Sequence, residues 1–342
     1  MTHSISTLPV RWGCLGCARV FERRMVPGFR AAEGAELIAV ASRTEEKAQA
    51  TAEKHGIPRS HGTYEALLED PEVEAVYIPL PNDLHCEWTL KALAAGKHVL
   101  CDKPAALTYA DAERMAQAAR EAGLLLVEGF MYRHHPQHAR IAEIVASGEV
   151  GEVVSFRSAF TYPATPDPSN IRWQADKGGG GLLDVGGYPL NAARYHFGAE
   201  PVAVTAAARV DAGTGVDLHT TALLEFPGGR TATIVGGFDQ VFTTRYEVVG
   251  TAGSVTAERG FQIGECGVTV TIRTGDKPAD IRTESFPHTD QYALQIAHIS
   301  ACIRDRSLSL TPAEDGAAQT RAVEALRRSA VEQRRVSLSE IG

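Results

Sequence analysis

The sequence predicts an α/β protein: a doubly wound parallel sheet first, then an α+β domain built on a large open, mostly antiparallel sheet. Three observations carry this. The first third alternates short, fully apolar runs with helical periodicity, as strands covered on both faces do. From about residue 150 the pattern changes to β-rich segments separated by glycine-bearing turns. The length, 342 residues, suits two domains that each bury a core.

In the first part, strands are expected at Val10–Leu15, Glu36–Ala41, Glu74–Ile78, His98–Cys101 and Leu124–Val127. Helix-like stretches lie between and after them at Thr44–His55, Leu84–Ala95 and Thr108–Ala122. In the second part, Val153–Thr161, Val202–Val210, Thr220–Phe226, Arg230–Gly237, Thr244–Val249, Gly253–Ala257 and Val268–Arg273 read as strands. Turn signals such as Pro227-Gly228-Gly229 and Thr274-Gly275-Asp276 join them. A terminal helix, Ala313 to Arg335, closes the chain. The expected division is residues 1–128 for dinucleotide binding and 129–342 for substrate binding and oligomerisation.

Composition narrows the function classes. Hydrophobic content of 44% and charged content of 22% are ordinary for a soluble globular protein. A net charge of −8 argues against nucleic acid or anionic membrane as partner. No apolar run is long enough to span a bilayer. The start, MTHSISTLPV, lacks the basic and apolar regions of a secretory signal and reads as a loose arm. A cytoplasmic location follows as the expectation, with the six cysteines as free thiols.

Gly13-Cys14-Leu15-Gly16-Cys17-Ala18-Arg19-Val20 contains both a CxxC and a glycine pattern. A zinc site needs two further soft ligands at comparable spacing, and no second CxxC or CxxH occurs. The segment instead follows an expected strand, precedes a helix and opens a βαβ unit. There, free backbone N–H groups and the helix dipole bind a pyrophosphate, which makes Gly16, Cys17, Ala18, Arg19 and Val20 the cofactor loop of a Rossmann domain. The fingerprint departs from G-x-G-x-x-G at Ala18 and Phe21. Phe21 stands where a third glycine normally lets helix and strand pack closely. After the second strand, Ser42 and Arg43 occupy the place of the carboxylate that selects NAD. A hydroxyl and a guanidinium suit a 2′-phosphate, so NADP is the expected cofactor.

Three further motifs follow: Pro79-Leu80-Pro81-Asn82-Asp83-Leu84-His85; Ala95-Gly96-Lys97-His98-Val99-Leu100-Cys101-Asp102-Lys103-Pro104; and the run Gly178 to Pro189 containing Asp184 and Tyr188. Together they resemble the glucose-fructose oxidoreductase/inositol dehydrogenase (Gfo/Idh/MocA) family of NAD(P)-dependent sugar oxidoreductases over nearly the whole chain. The resemblance implies that Lys103 is the catalytic lysine, with Asp102 replacing the family's usual glutamate. It implies cofactor contacts at Leu80, Pro81, Asn82, His85, Asp102, Lys103, Arg172 and Trp173. Tyr188, where many members carry histidine, resembles the branch of deoxysugar 3-ketoreductases, pentose dehydrogenases and dihydrodiol dehydrogenases. Phe130 to His138 and Ile171 to Asp176 look most like the nucleotide-linked sugar 3-ketoreductases.

The implied chemistry is hydride transfer between nicotinamide and a sugar carbinol or ketone carbon. Tyr188 would be the general acid/base; Lys103 would lower its pKa and stabilise the developing alkoxide. Asp184, four residues before Tyr188 and so on one helix face with it, would accept substrate hydroxyls. Pro189 should bend that helix, and the preceding glycines allow close backbone approach. Arg172 would bind an anionic group or bridge to Asp176. His85 is read as a structural histidine or a cofactor contact. The resemblance also implies a homodimer or homotetramer that covers the open sheet.

Three rival readings remain. His134, His135 and His138, with Glu128 upstream, would suggest a metal-dependent hydrolase or lyase, but adjacent histidines face apart and no distant motif completes the set. Metal is therefore not expected. A non-catalytic NADP sensor would have no use for the Lys103/Asp184/Tyr188 set. Dehydrogenation of a free sugar or dihydrodiol, of the D-xylose or trans-dihydrodiol type, is the alternative within the family.

Overall fold

A computed structural model describes residues 8–264 and 267–342 of the chain. The first seven residues of the expected arm, and Cys266 among the expected thiols, lie outside the described residues. The other five cysteines are free. The chain divides into two compact units, Met1–His134 with Asp290–Ala317, and His135–Thr289 with Ala318–Gly342.

The first unit is a six-stranded parallel sheet of β1 (Val10–Leu15), β2 (Ala35–Ala41), β3 (Arg59–His61), β4 (Ala75–Ile78), β5 (His98–Cys101) and β6 (Leu126–Glu128). Its order is β3-β2-β1-β4-β5-β6, with all pairs parallel. Five helices connect the strands: α1 (Val26–Ala31), α2 (Glu45–His55), α3 (Tyr64–Glu69), α4 (His85–Ala94) and α5 (Tyr109–Ala122). Thr44, Thr63 and Thr108 cap α2, α3 and α5, each accepting an N–H three residues on, from Lys47, Ala66 and Asp111. Gly56 and Gly123 end α2 and α5 in the left-handed conformation.

The alternation of side chains along each strand builds two cores, one per face. Leu15, Val76, Ile78 and Val99 pack with Leu67, Trp88, Leu93, Met115 and Ala116. Trp12, Val40, Tyr77, Leu100 and Val127 pack with Phe21, Met25, Phe29, Ile296 and Ile299. The last two come from the helix Gln291–Asp305, which folds with this unit. Ser300 Oγ accepts the Trp12 indole N–H at 3.0 Å. Arg304 pairs with Glu74 at 2.8 Å and donates to the Leu8 carbonyl at 2.8 Å.

The second unit begins with α6 (Pro136–Ala146) and holds a nine-stranded sheet. Its strands are β7 (Val153–Thr161), β8 (Ala203–Val210), β9 (Asp217–Glu225), β10 (Thr231–Gly237), β11 (Thr243–Gly250), β12 (Ser254–Ala257), β13 (Val268–Arg273), β14 (Ile281–Phe286) and β15 (Val336–Ser337). The order is β14-β13-β12-β11-β7-β10-β9-β8-β15. Every pair is antiparallel except β7 with β10. Helix α7 (Gly187–Phe197) covers one face of it. Gly186 and Gly236 let backbone meet backbone there: a Cβ on Gly236 would run into the Gly186 Cα. The helix Ala313–Glu332 supplies Gln319, whose amide donates to the Gly187 carbonyl at 2.9 Å and accepts from Arg194 at 2.9 Å.

On the opposite face, Thr205, Leu223, Thr233, Arg157 and Glu247 form one cross-strand row. Leu223 is 41% exposed and Val154 38% exposed. Among the described residues no helix is long and apolar enough to cross a membrane.

Candidate active site

The candidate residues fall on both units. In the first unit, β1 ends at Leu15 and the chain turns at Gly16, whose φ of 113° belongs to glycine. The Gly16 N–H donates to the Ala41 carbonyl at 2.9 Å, and the Leu80 side chain lies 3.0 Å from where a Gly16 Cβ would stand. Cys17, Ala18 and Val20 are half-buried and Arg19 is exposed, so the turn lies at the surface. The helix then opens on a π-turn, Phe21–Met25, in which the Val26 N–H bonds the Phe21 carbonyl. This wider turn accompanies a fully buried Phe21 within the Trp12/Met25/Val40 cluster. The bulky residue at the third fingerprint position is thus directed into the core, away from the loop.

Ser42 is buried, its N–H donating to the His61 carbonyl at 3.1 Å. Arg43 is exposed. Tyr64, which sequence reasoning missed, joins them: its hydroxyl is 3.8 Å from the Gly16 Cβ position, and the Arg43 charge acts on it against a burial that raises its pKa. Only an aromatic at a helix start, after a polar three-residue strand, could have signalled it. A glycine turn at a helix start, with a guanidinium beside it, fits the pyrophosphate and 2′-phosphate of NADP.

Leu80 is buried and Pro81 and Asn82 half-buried, at the 3₁₀ turn Asn82–Leu84. His85 has no exposed surface; its Nδ1 lies 2.7 Å from the Pro104 carbonyl and its Nε2 2.8 Å from the Leu80 carbonyl. Both ring nitrogens are engaged by backbone. Asp102 Oδ1 accepts the Lys103 N–H at 2.9 Å and Oδ2 accepts the Tyr77 hydroxyl at 3.3 Å. The shorter carboxylate thereby holds its own loop, and Lys103 itself is half-buried at the carboxyl edge of the sheet.

In the second unit, Asp184 lies in a π-turn, Leu182–Gly186, that runs into α7, where Tyr188 sits in the first turn. Pro189 cannot donate to a preceding carbonyl, and the widened turn lies just before it. Asp217 anchors the start of that turn, accepting the Leu182 N–H at 2.7 Å and the Thr220 hydroxyl at 2.9 Å. Burial pushes its carboxyl pKa up while these two bonds oppose the shift. Asp184 Oδ2 accepts Tyr162 Oη at 2.8 Å and Arg172 Nε at 2.9 Å. Arg172, expected to bind an anionic group or to bridge to Asp176, bridges to Asp184. Burial and the Asp184 charge push the Tyr162 hydroxyl pKa well up. Tyr188 is 5% exposed, its ring 5.3 Å from Phe160 and 5.7 Å from Phe261. Trp173 is buried against Phe238. Tyr162 and Asp217 had no sequence signal, because neither belongs to a motif.

The histidine cluster separates. The His134 ring lies 5.1 Å from that of His298, tilted by 48°, and burial takes its pKa down to about 3. His135 caps α6, its Nδ1 accepting the Gln137 N–H, and burial takes it to about 4. His138 is buried with Nδ1 on Tyr246 Oη at 2.7 Å. Among the described residues no group of three or more His, Cys, Asp or Glu is placed to hold a metal ion.

Comparison with known proteins gives the family. Residues 10–130 match the model of the oxidoreductase family with an NAD-binding Rossmann fold, and residues 138–256 match the GFO/IDH/MocA C-terminal domain. The chain belongs to this oxidoreductase family. A dTDP-3,4-didehydro-2,6-dideoxy-α-D-glucose 3-reductase from Actinomadura kijaniata is 42% identical over 76% of this chain and 78% of its own. The NADP(+)-dependent D-xylose 1-dehydrogenase 2 of Haloferax volcanii is 36% identical over 93% of this chain and 97% of its own. Among solved structures, a 3-ketoreductase from A. kijaniata in complex with NADP and TDP-benzene superposes with a TM-score of 0.87. It is 38% identical and covers 94% of this chain and 98% of its own. Tyrosine-to-phenylalanine, lysine-to-alanine and lysine-to-glutamate variants of that ketoreductase have also been solved.

Proposed function

We propose that the protein is an NADP-dependent reductase of a nucleotide-linked deoxysugar ketone. One observation carries the reading: the chain combines a Gly16/Arg43 loop suited to NADP with the Asp184–Tyr188 element in a Gfo/Idh/MocA scaffold. NADP, when bound, supplies the hydride. Tyr188 gives the proton to the substrate oxygen, its ring fixed by Phe160 and Phe261. Lys103 stabilises the charge that develops on that oxygen. Asp184, oriented by Tyr162 and Arg172, accepts substrate hydroxyls. The loop residues Gly16 to Val20 with Ser42 and Arg43 hold the dinucleotide, and Leu80, Pro81, Asn82, Asp102, Arg172 and Trp173 line the same reading as cofactor contacts. His85 serves backbone.

A second reading, dehydrogenation of a free pentose, is favoured by the nearly full-length match to the D-xylose dehydrogenase. The protein acts in the cytoplasm, consistent with its free cysteines. It forms a homo-oligomer through the outward sheet face, where Leu223 and Val154 are exposed.

Fluorescence titration with NADPH and NADH, and turnover of TDP-linked 3-keto sugars against D-xylose, test this. NADPH is expected to bind in preference to NADH, with the preference lost in Arg43→Ala. Lys103→Ala and Tyr188→Phe are expected to abolish turnover while retaining NADPH. Undiminished turnover in both would overturn the roles assigned here.

A further inference from the structure

We propose that His85 and Glu128 are positioning residues for Lys103, clamping the backbone just after it from two sides; the proposal rests on the role given to Lys103 above. The loop leaving β5 is fixed first by its own residues, with the Asp102 N–H on the Ile78 carbonyl at 3.1 Å and the Asp102 carboxylate on the Lys103 N–H. The next two peptide groups are held by side chains from other elements. The Pro104 carbonyl lies 2.7 Å from His85 Nδ1, at the start of α4. The Ala105 N–H donates to Glu128 Oε1 at 2.9 Å, at the end of β6. His85 is 0% exposed and Glu128 4% exposed, so neither faces solvent.

Two buried polar side chains directed at one short loop are costly to desolvate, and each recovers that cost through a bond to the backbone beside Lys103. His85 extends the clamp. Its other nitrogen reaches the Leu80 carbonyl, and the Leu80 side chain lies against Gly16. Burial is the largest influence and holds the imidazole pKa below its usual value, with the Pro104 and Leu80 carbonyls and the Asp102 carboxylate opposing that shift and the Lys103 charge adding to it. The glycine turn, the Leu80 turn and the Lys103 loop are thus joined through one imidazole.

Competitive acetylation of every lysine in the NADPH-bound protein, read by mass spectrometry, tests the clamp without needing a substrate. In His85→Asn and Glu128→Ala, Lys103 labelling is expected to change about tenfold, the equivalent of one buried hydrogen bond. Lys54 and Lys91 in the same samples should stay constant, with NADPH held saturating for each variant. Glu128→Gln keeps an acceptor for the Ala105 N–H and should restore the wild-type value. Lys103 labelling unchanged in the folded variants would overturn the proposal. Hydrogen exchange on the unsubstituted protein guards against variants that fail to fold: the Ala105 amide is expected to be protected, and exchange at the rate of an exposed amide overturns the clamp. If labelling shifts as expected but Lys103→Ala leaves turnover intact, the clamp stands and the catalytic role fails. The reverse pattern fails the clamp alone.

Discussion

The carboxylate of Asp217 accepts the backbone N–H of Leu182 at 2.7 Å, two residues before Asp184. A strand residue therefore fixes the start of the turn that carries both Asp184 and Tyr188. Asp217→Ala is expected to lower stability by about 1–3 kcal/mol, since it leaves a buried donor unpaired. Turnover should fall with it, and Asp217→Asn, which keeps an acceptor, should lose less. Urea denaturation and steady-state kinetics on the same preparations check both.

Phe21 fills the position of the third fingerprint glycine and is fully buried. Phe21→Ala is expected to cost about 3–5 kcal/mol of stability, the usual price of emptying an aromatic site. It should not tighten NADPH binding, because the side chain is directed into the core. Thermal melts with and without NADPH, beside a fluorescence titration, decide the matter. Tighter binding at unchanged stability would contradict the packing described above.

Tyr162 donates to Asp184, and its pKa is pushed up, so it stays a neutral donor at working pH. Tyr162→Phe is expected to lower kcat/KM roughly tenfold, the scale of a lost bond to a charged group. The pH profile should keep its shape, since no titration of Tyr162 is being removed. A new limb in that profile would count against the assignment.

Glu74 carries a pKa of about 2, held down first by its bonds to Arg304. The folded value lies below that of an unfolded glutamate, about 4.3. Its contribution to stability is therefore present above about pH 4.3 and lost as the pH falls toward 2. Glu74→Gln should be less stable than wild type at neutral pH, and the two curves should converge in acid. Urea midpoints measured from pH 7 down to pH 2 test the convergence.

Much of the fold was legible because it rests on periodicity. β1, β5, β7 and β13 fall where apolar runs or alternation placed them. β3, Arg59-Ser60-His61, has no apolar residue and is held by pairing with β2 at the sheet edge, so no pattern announces it. The parallel pairing of β7 with β10 is likewise a tertiary choice that strand composition does not encode. In the site, residues in contiguous motifs were found and their supports were not. Tyr64, Tyr77, Tyr162 and Asp217 each act on a motif residue from a distant part of the chain. The two π-turns escaped notice because i→i+5 bonding leaves no period to read in five residues.

The helix Gln291–Asp305 completes the first core from far along the chain, placing Ile296 and Ile299 beside Trp12 and Phe29. Translation runs from the N-terminus, so the ribosome releases this sheet long before the piece that seals it. Throughout that interval one face of the nascent sheet has an indole without its serine and a groove without its isoleucines. The first unit to be started is thus completed only after most of the second has been made. A chaperone that shields apolar surface during synthesis has its binding window here, and a fragment ending near residue 134 would keep that window open permanently.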